Sequence, residues 1–435
     1  GEHNLLNHGI SFVYPGDGFN TRFSYEYNQS SNYKPETEFI QRKFYGNIVK
    51  GHNGREIDFA FGFMDKDFGA STFYSTKFPR QEEHIQTYFG KFRIKWNDSL
   101  FSLYYRRHED NFLLDRTRPG WNENMHTSYV YGCQFIEEEE ISFGNLKWGL
   151  DFTYDKITST KLDKHSRSHS AIFLEWEKFM NNRCVFNLAL RKDYYSDWRE
   201  EFSPNLNIGF LIKPDLKLRS STAYAFRIPS YTELYYRDSA NVGNPDLVPE
   251  HAFSWDIGLD KMMENGLYSA TFFIRKNRNT IDWIKENYQD PWQANNIGEI
   301  FFKGIELDYK FIKPEKEEKT FYLERFGYTY LQSRRKSEIS ISKYVLDHLQ
   351  HQFVLAFKNI LPFGFTQTWN LNYKERAEGS GWFVLNSRIN KNFSSRGFNY
   401  ELFLEGTNLT DTEYSDIYGV DMPGRWFAAG IKIIF

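Results

Sequence analysis

The sequence predicts an all-β chain: a transmembrane antiparallel β-barrel of about 22 strands, about 21 of them visible between Gly1 and Phe435. Three observations lead there. Apolar and polar residues alternate with period two over stretches of eight to a dozen positions, and helical spacing is nearly absent. Aromatic residues make up 19% of the chain (Phe 42, Tyr 29, Trp 11), although all hydrophobic types together reach only 40%. Mean hydropathy is −0.64, and no apolar run exceeds about six residues, far short of the ~20 that a membrane-crossing helix needs.

The alternation is plain in single segments. From 55 to 63, Ile57, Phe59, Phe61 and Phe63 interleave with Glu56, Asp58, Ala60 and Gly62. From 303 to 311, Ile305, Leu307, Tyr309 and Phe311 interleave with Glu306, Asp308 and Lys310. From 88 to 96, Tyr88, Phe92, Ile94 and Trp96 are set against Lys91, Arg93 and Lys95. A sandwich would bury the apolar face against a second sheet, whereas a barrel turns it to lipid and leaves the other face in a wet lumen. Charged inner faces favour the barrel. So does the collection of rings near strand ends (Trp96, Trp148, Trp176, Tyr309, Trp369, Trp382, Trp426), the level of the lipid headgroups.

Taken in order, strands are expected near 2–13 and 20–30, joined across Pro15 to Gly18, then 37–48, 55–64, 84–96 and 99–109, the last two joined at Asn97 to Ser99. Next come 125–137 and 143–156, then 166–179 and 183–192 across Asn181 and Asn182, then 201–212 and 215–226 across Lys213 to Asp215. The pairs 251–262 and 267–285 (turn Glu264 to Gly266), 298–312 and 319–332, 346–358 and 363–375 (turn Pro362 to Gly364), and 380–392 and 398–407 precede a final strand at 425–435. The short connections, with φ > 0 residues expected within Pro15 to Gly18 and Glu264 to Gly266, alternate with long ones at 64–83, 109–124, 192–201, 226–250, 286–298, 332–345 and 408–424. Long loops mark the extracellular side.

Parity adds a further expectation. The last strand descends from a long loop, so the first also descends, and an even-numbered barrel of the size of plugged outer-membrane transporters would need one more ascending strand before Gly1. The whole of 1–435 is thus read as one barrel domain lacking a first strand.

Other classes find little support. Lys+Arg 54 against Asp+Glu 57 gives a formal net charge of −3 and no pull toward nucleic acid. No basic and apolar leader stands at Gly1, so any signal peptide has been removed or does not belong to this sequence. Cys133 and Cys184 should face lipid from non-neighbouring strands and form no disulfide. No G-x-S-x-G elbow, Walker loop or H-E-x-x-H is present, so no enzyme is expected. His165 and His169 share a face about 13 Å apart by strand rise, and His348 and His351 fall on opposite faces, so solvated histidines are the reading and no metal site or cofactor is assigned. The acidic run Glu137 to Glu140 and the mixed run Lys313 to Lys319 are read as solvated periplasmic turns. Asp65 and Asp67, like Glu109, Asp110 and Asp115, are placed in long loops.

Three segments carry a family resemblance. Ala225 to Tyr235, followed by Gly243 to Glu250, resembles the paired loop motifs of TonB-dependent outer-membrane receptors, and Gly406 to Tyr414 through Pro423 to Phe435 resembles their closing strands. Lys66 to Tyr74 with Arg106, Arg107 and His108 is similar to a branch grouped with cobalamin receptors. The resemblance implies uptake of a scarce metal chelate, cobalamin-like or siderophore-like, driven by TonB through a plug inside the barrel. The sequence contains no plug-like segment or TonB box. Partners implied are outer-membrane lipid, lipopolysaccharide, TonB through a plug not seen here, the chelate and a surface lipoprotein. A passive plugless channel and a soluble β-rich binding protein are the alternatives.

Within the motif loop the residues singled out are Phe226, Arg227, Pro229, Glu233, Leu234, Asn244, Pro245, Leu247, Pro249 and Glu250. Loop architecture is their plainer role: a proline holds its predecessor extended, and Glu250 can pair with Arg227. The absence of histidine between Phe226 and Asn244 argues against haem. Candidate ligand-contact aromatics are Trp121, Tyr195, Trp198, Tyr235, Tyr236, Trp283, Trp292 and Tyr418, any of which could instead pack loop on loop. Phe435 resembles a C-terminal signal for membrane insertion, or simply ends on the lipid face.

Overall fold

The computed structural model describes residues 1–75, 77–312, 320–335, 341–345, 347–417 and 419–434. One 21-stranded antiparallel sheet forms the body. Its strands are Leu6–Gly16, Phe19–Ser30, Phe39–His52, Arg55–Gly69, Glu82–Trp96, Ser99–Leu113, Glu123–Ile141, Gly144–Ser159, Asp163–Met180, Cys184–Tyr195 and Glu201–Lys213. It continues through Leu216–Arg227, Glu250–Met263, Gly266–Arg278, Ile300–Phe311, Phe321–Arg335, Leu349–Ile360, Phe365–Arg376, Trp382–Ser395, Phe398–Thr407 and Trp426–Ile434. Each strand pairs with its neighbours in sequence, the topology of an up-and-down barrel wall.

The two faces differ as the alternation requires. In Gly144–Ser159, Leu150, Phe152 and Tyr154 are 48%, 44% and 37% exposed on the outside. The opposite face is polar and cross-linked: Arg93 meets Asp58 at 2.8 Å, Arg191 meets Asp151 at 2.6 Å, Arg219 meets Asp260 at 3.1 Å and Arg388 meets Glu401 at 2.6 Å. Such a wall has hydrocarbon on one side and water on the other. Near the short-turn rim, rings pair laterally: Trp96 with Phe135 (6.2 Å), Phe135 with Trp148 (5.5 Å), Tyr268 with Tyr309 (4.5 Å) and Phe357 with Trp369 (6.0 Å). This is the aromatic girdle of a membrane interface.

Tight turns close one rim. Asn53 and Gly54, both at positive φ (49° and 75°), form the two-residue link between Phe39–His52 and Arg55–Gly69. The turn Pro15 to Gly18 has its positive-φ residue in Gly18 (φ 68°), but none of Glu264, Asn265 and Gly266 is at positive φ. A Cβ at Gly266 would lie 2.6 Å from the Tyr309 ring and 2.7 Å from the Lys310 carbonyl, so close strand approach demands the glycine.

Several strands run further than the sequence suggested. The acidic run Glu137–Glu140 is in Glu123–Ile141, not a turn, because its backbone is paired with Asn145 to Trp148. Asp65 and Asp67 likewise lie in Arg55–Gly69, and Glu109 and Asp110 in Ser99–Leu113, so only Asp115 of that group is in a loop. The expected strand 267–285 breaks instead: Asn279 turns left-handed (φ 51°), and Ile281–Lys285 leaves the wall to pair with Trp292–Asn296. Lys313 to Lys319 lie outside the described residues. Cys133 and Cys184 are free thiols on separate, non-adjacent strands.

The first and last strands both descend, and among the described residues no ladder joins them. They approach at the extracellular end, where the Phe427 N–H donates to the Glu2 carboxylate at 2.9 Å.

Candidate functional site

The extracellular mouth carries a dry core. Leu234, Leu247, Ile281 and Ala294 are buried together, with Trp198, Tyr235 and Trp283 packed against them. Three loops supply it: Trp198 comes from the loop after Cys184–Tyr195, Leu234, Tyr235 and Leu247 from the loop after Leu216–Arg227, and Ile281, Trp283 and Ala294 from the loop after Gly266–Arg278.

The first device grows from the end of Leu216–Arg227. Arg227 donates to both Glu233 oxygens at 2.8 and 2.9 Å and to Glu250 at 3.0 Å, joining two wall strands to the loop between them. Ser230 caps the short helix Tyr231–Tyr235: its hydroxyl accepts the Glu233 N–H, and Glu233 accepts the Ser230 N–H at 2.8 Å. Burial opposes ionisation of Glu233, but the Arg227 guanidinium and the Ser230 N–H outweigh it and hold the carboxyl below its ordinary value. The other Glu250 oxygen accepts the Ile281 N–H, tying the hub to the next loop.

The second device is the hairpin Ile281–Lys285 and Trp292–Asn296, extended by Ile341–Ser342 on one side and Asn241–Val242 on the other. Asp282, 2% exposed, accepts the Ser342 hydroxyl and the N–H groups of Trp283 (2.8 Å), Val345 (3.2 Å) and Tyr344 (3.3 Å). Burial raises its pKa although these donors oppose the shift. Asn296 clamps Val248 from both sides, accepting its N–H and donating to its carbonyl at 3.0 Å each.

The body is moored to the wall. His165 stacks on Tyr235 with centroids 3.7 Å apart and planes 4° from parallel, Tyr231 donates to Asp155 at 2.7 Å, and Arg167 donates to the buried Pro229 carbonyl at 3.3 Å. His169 meets Asp193 at 2.7 Å and stacks on Tyr195. Both histidines are therefore engaged, not simply solvated. In the loop between Arg55–Gly69 and Glu82–Trp96, Tyr74 donates to Glu83 at 2.6 Å. The Tyr74 side chain is 53% exposed, yet its hydroxyl is desolvated, and that burial, then Glu83, Asp110 and Tyr344, raise its pKa. Tyr344 belongs to the loop before Leu349–Ile360, so two loops from distant strands converge over the mouth.

The sequence-derived aromatics fall into distinct settings. Trp198, Tyr235 and Trp283 pack against the core. Tyr236 accepts from Asn124 and donates to Asp238, both at 3.1 Å, and burial first, with Asp238, pushes its phenol up to about 12. Tyr195 lies edge-on to Phe226 at 6.1 Å. Trp121 carries the Arg118 guanidinium at 3.8 Å, and Trp292 lies under Lys285 (4.5 Å) and Lys343 (5.6 Å). Leu234 and Leu247 are core, Asn244 donates its N–H to the Glu233 carbonyl at 2.8 Å, Pro245 is exposed and Pro249 half-buried. Tyr418 and Phe435 lie outside the described residues. Asp282, Asn296, His165 and Arg167 were not singled out as site residues, and no motif marks the two loop clamps. Among the described residues no cluster of three or more His, Cys, Asp or Glu could hold a metal ion.

A wide polar lumen, an apolar outer wall with an aromatic girdle and long loops packed at one mouth define an outer-membrane β-barrel. The particular family follows from comparison: residues 2–409 match the family described as TonB dependent receptor-like, beta-barrel, and the chain belongs to it. That family is one of outer-membrane transport receptors. A vitamin B12 transporter of Vibrio cholerae is 25% identical over 171 residues, 39% of this chain and 26% of that protein, so the match spans about a quarter of the relative. In fold, the chain is similar to the FrpB iron transporter of Neisseria meningitidis (TM-score 0.81, 14% identity, 99% of this chain and 79% of that one). The siderophore receptor PirA of Pseudomonas aeruginosa gives a TM-score of 0.74 at 14% identity, covering 99% and 76%.

Proposed function

We propose that this chain forms the wall and extracellular lid of a receptor that takes up a scarce metal chelate, cobalamin-like or siderophore-like, with energy delivered by TonB through a plug in the lumen. A further ascending strand in the seam between Leu6–Gly16 and Trp426–Ile434 belongs to the same reading, because two parallel edges need an antiparallel strand between them to complete the ladder. The observation that carries the reading is the packed loop body over a wide polar lumen. A diffusion pore has no need of a dry core built across its mouth, whereas a receptor needs a rigid surface to hold cargo. Trp121, Tyr195, Tyr236 and Trp292 are the rings outside that core that this reading offers to ligand, with Tyr418 from the sequence.

The experiment is uptake of radiolabelled cyanocobalamin and of ferric siderophores by cells with and without the gene, each in TonB-competent and TonB-deficient backgrounds. Accumulation of one chelate that needs both the gene and TonB is expected. Transport indifferent to TonB, with steady conductance for small solutes, would replace the receptor with a passive channel.

A further inference from the structure

The outer wall above the lipid-facing band is not evenly charged. On one side, cations are matched on the wall itself: Arg42 meets Asp65 at 3.0 Å, Arg107 pairs with Glu109, and His84 with Asp67. On the strands Gly266–Arg278, Ile300–Phe311 and Phe321–Arg335 the balance is lost. The register aligns Lys276 with Phe301 and Phe301 with Arg334; one step toward the membrane it aligns Ile274 with Lys303 and Lys303 with Gln332. Lys276, Arg278, Lys303 and Arg334 thus share the outer face of three adjacent strands. Among the described residues Glu299 is the acid that answers them, at 3.0 Å from Lys276 and 3.1 Å from Arg278. Lys303 and Arg334 are exposed and meet no acid among the described residues. Arg275, Glu306 and Asp308 belong to the other face, turned to the lumen.

The height of this patch identifies what it faces. Phe272, Ile305 and Tyr330 are aligned in the next outward-facing row below Lys303, and Phe272 and Ile305 are 39% and 45% exposed to the hydrocarbon side. Two residues of strand rise about 7 Å, so the cations stand one side-chain length above the acyl chains, at headgroup level. They lie on the long-loop side, hence in the outer leaflet. Tyr330 and His351, ring centroids 5.0 Å apart, flank the patch laterally.

We propose that Lys276, Arg278, Lys303 and Arg334 form a binding site for the phosphate groups of lipopolysaccharide. Soluble cargo enters through the mouth and does not meet this face. An anionic headgroup anchored by acyl chains against Phe272 and Ile305 meets it directly, and a cluster of guanidinium and ammonium groups suits phosphate oxygens. The site rests on the membrane orientation of the barrel and not on the uptake reading.

The test is titration of the full receptor chain, purified in nonionic detergent, with deep-rough lipopolysaccharide, scored by native mass spectrometry. K303Q/R334Q should weaken binding about 30-fold, K303R/R334K should retain it, and R107Q/E109Q on the balanced wall should leave it unchanged. Dephosphorylated lipopolysaccharide should bind the wild-type chain no better than K303Q/R334Q binds the intact lipid. Heat-modifiable electrophoretic mobility reports folding, and if K303Q/R334Q fails to assemble, the wild-type salt dependence decides. Equal binding by K303Q/R334Q, equal loss in R107Q/E109Q, indifference to phosphate removal, binding insensitive to salt, or equal affinity for phosphatidylglycerol or inorganic phosphate would each overturn the site.

Discussion

Replacing Asp282 by alanine should detach the 341–345 segment from the extracellular lid while leaving the barrel intact. The wild-type carboxylate accepts one hydroxyl and three N–H groups at a position that is 2% exposed. A hydrogen bond to a charged group contributes about 1.5–3 kcal/mol, while alanine relieves the carboxylate's own desolvation and water reaches part of the vacated site. A net loss of about 3 kcal/mol remains, which is about a hundredfold in the local opening equilibrium. Hydrogen exchange followed by mass spectrometry reads this directly at the Trp283, Tyr344 and Val345 amides. Those amides should lose about two orders of magnitude of protection in D282A, with strand amides such as those of Ser220 and Ile257 unchanged. Asp282→Asn, which keeps an acceptor oxygen, should lose much less. Unchanged exchange at Tyr344 and Val345 in D282A would refute the clamp, and uniform loss across the wall would show that the lid and barrel are one cooperative unit.

Other expectations concern the hub and the wall. Arg227→Lys retains charge but cannot reach Glu233 through two nitrogens while also holding Glu250, so limited proteolysis within 228–249 should accelerate several-fold. Because Glu233 has a folded pKa held below the ordinary 4.5, its contribution is fully present above that value and fades as the pH falls through the folded pKa. Protease resistance of the helix should therefore be flat from neutral pH down to about 5 and decline below 4, and a decline setting in near neutrality would contradict the assignment. Gly266→Ala places a methyl against the Lys310 carbonyl and should destabilise the barrel by about 1–3 kcal/mol, seen as a lower urea midpoint for loss of the heat-modifiable band.

The wall was legible because lipid and water impose a period-two pattern that each strand carries on its own. Ile57 to Phe63 and Ile305 to Phe311 announce their faces without reference to any partner. Boundaries were less legible. Glu137 to Glu140 look like a solvated turn, yet the ladder to Asn145 through Trp148 keeps them extended. The break at Asn279 was hidden because Ile281 and Trp283 continue the alternation in a different sheet. The lid was readable only in half: the motif stretch showed Leu234 and Leu247, while Ile281, Ala294 and the Asp282 clamp depend on contacts across tens of residues that no local pattern encodes.

The lid's dry core has a consequence for how such a molecule can change. Its apolar residues lie beyond the bilayer, beneath a rim whose rings and lysines, Trp292 with Lys285 and Lys343 among them, contribute nothing to the buried cluster. On the proposed uptake reading, mutations there would revise what is recognised while leaving the scaffold to assemble in the membrane as before. Divergence in diet would then ask for new surfaces and not for a new machine.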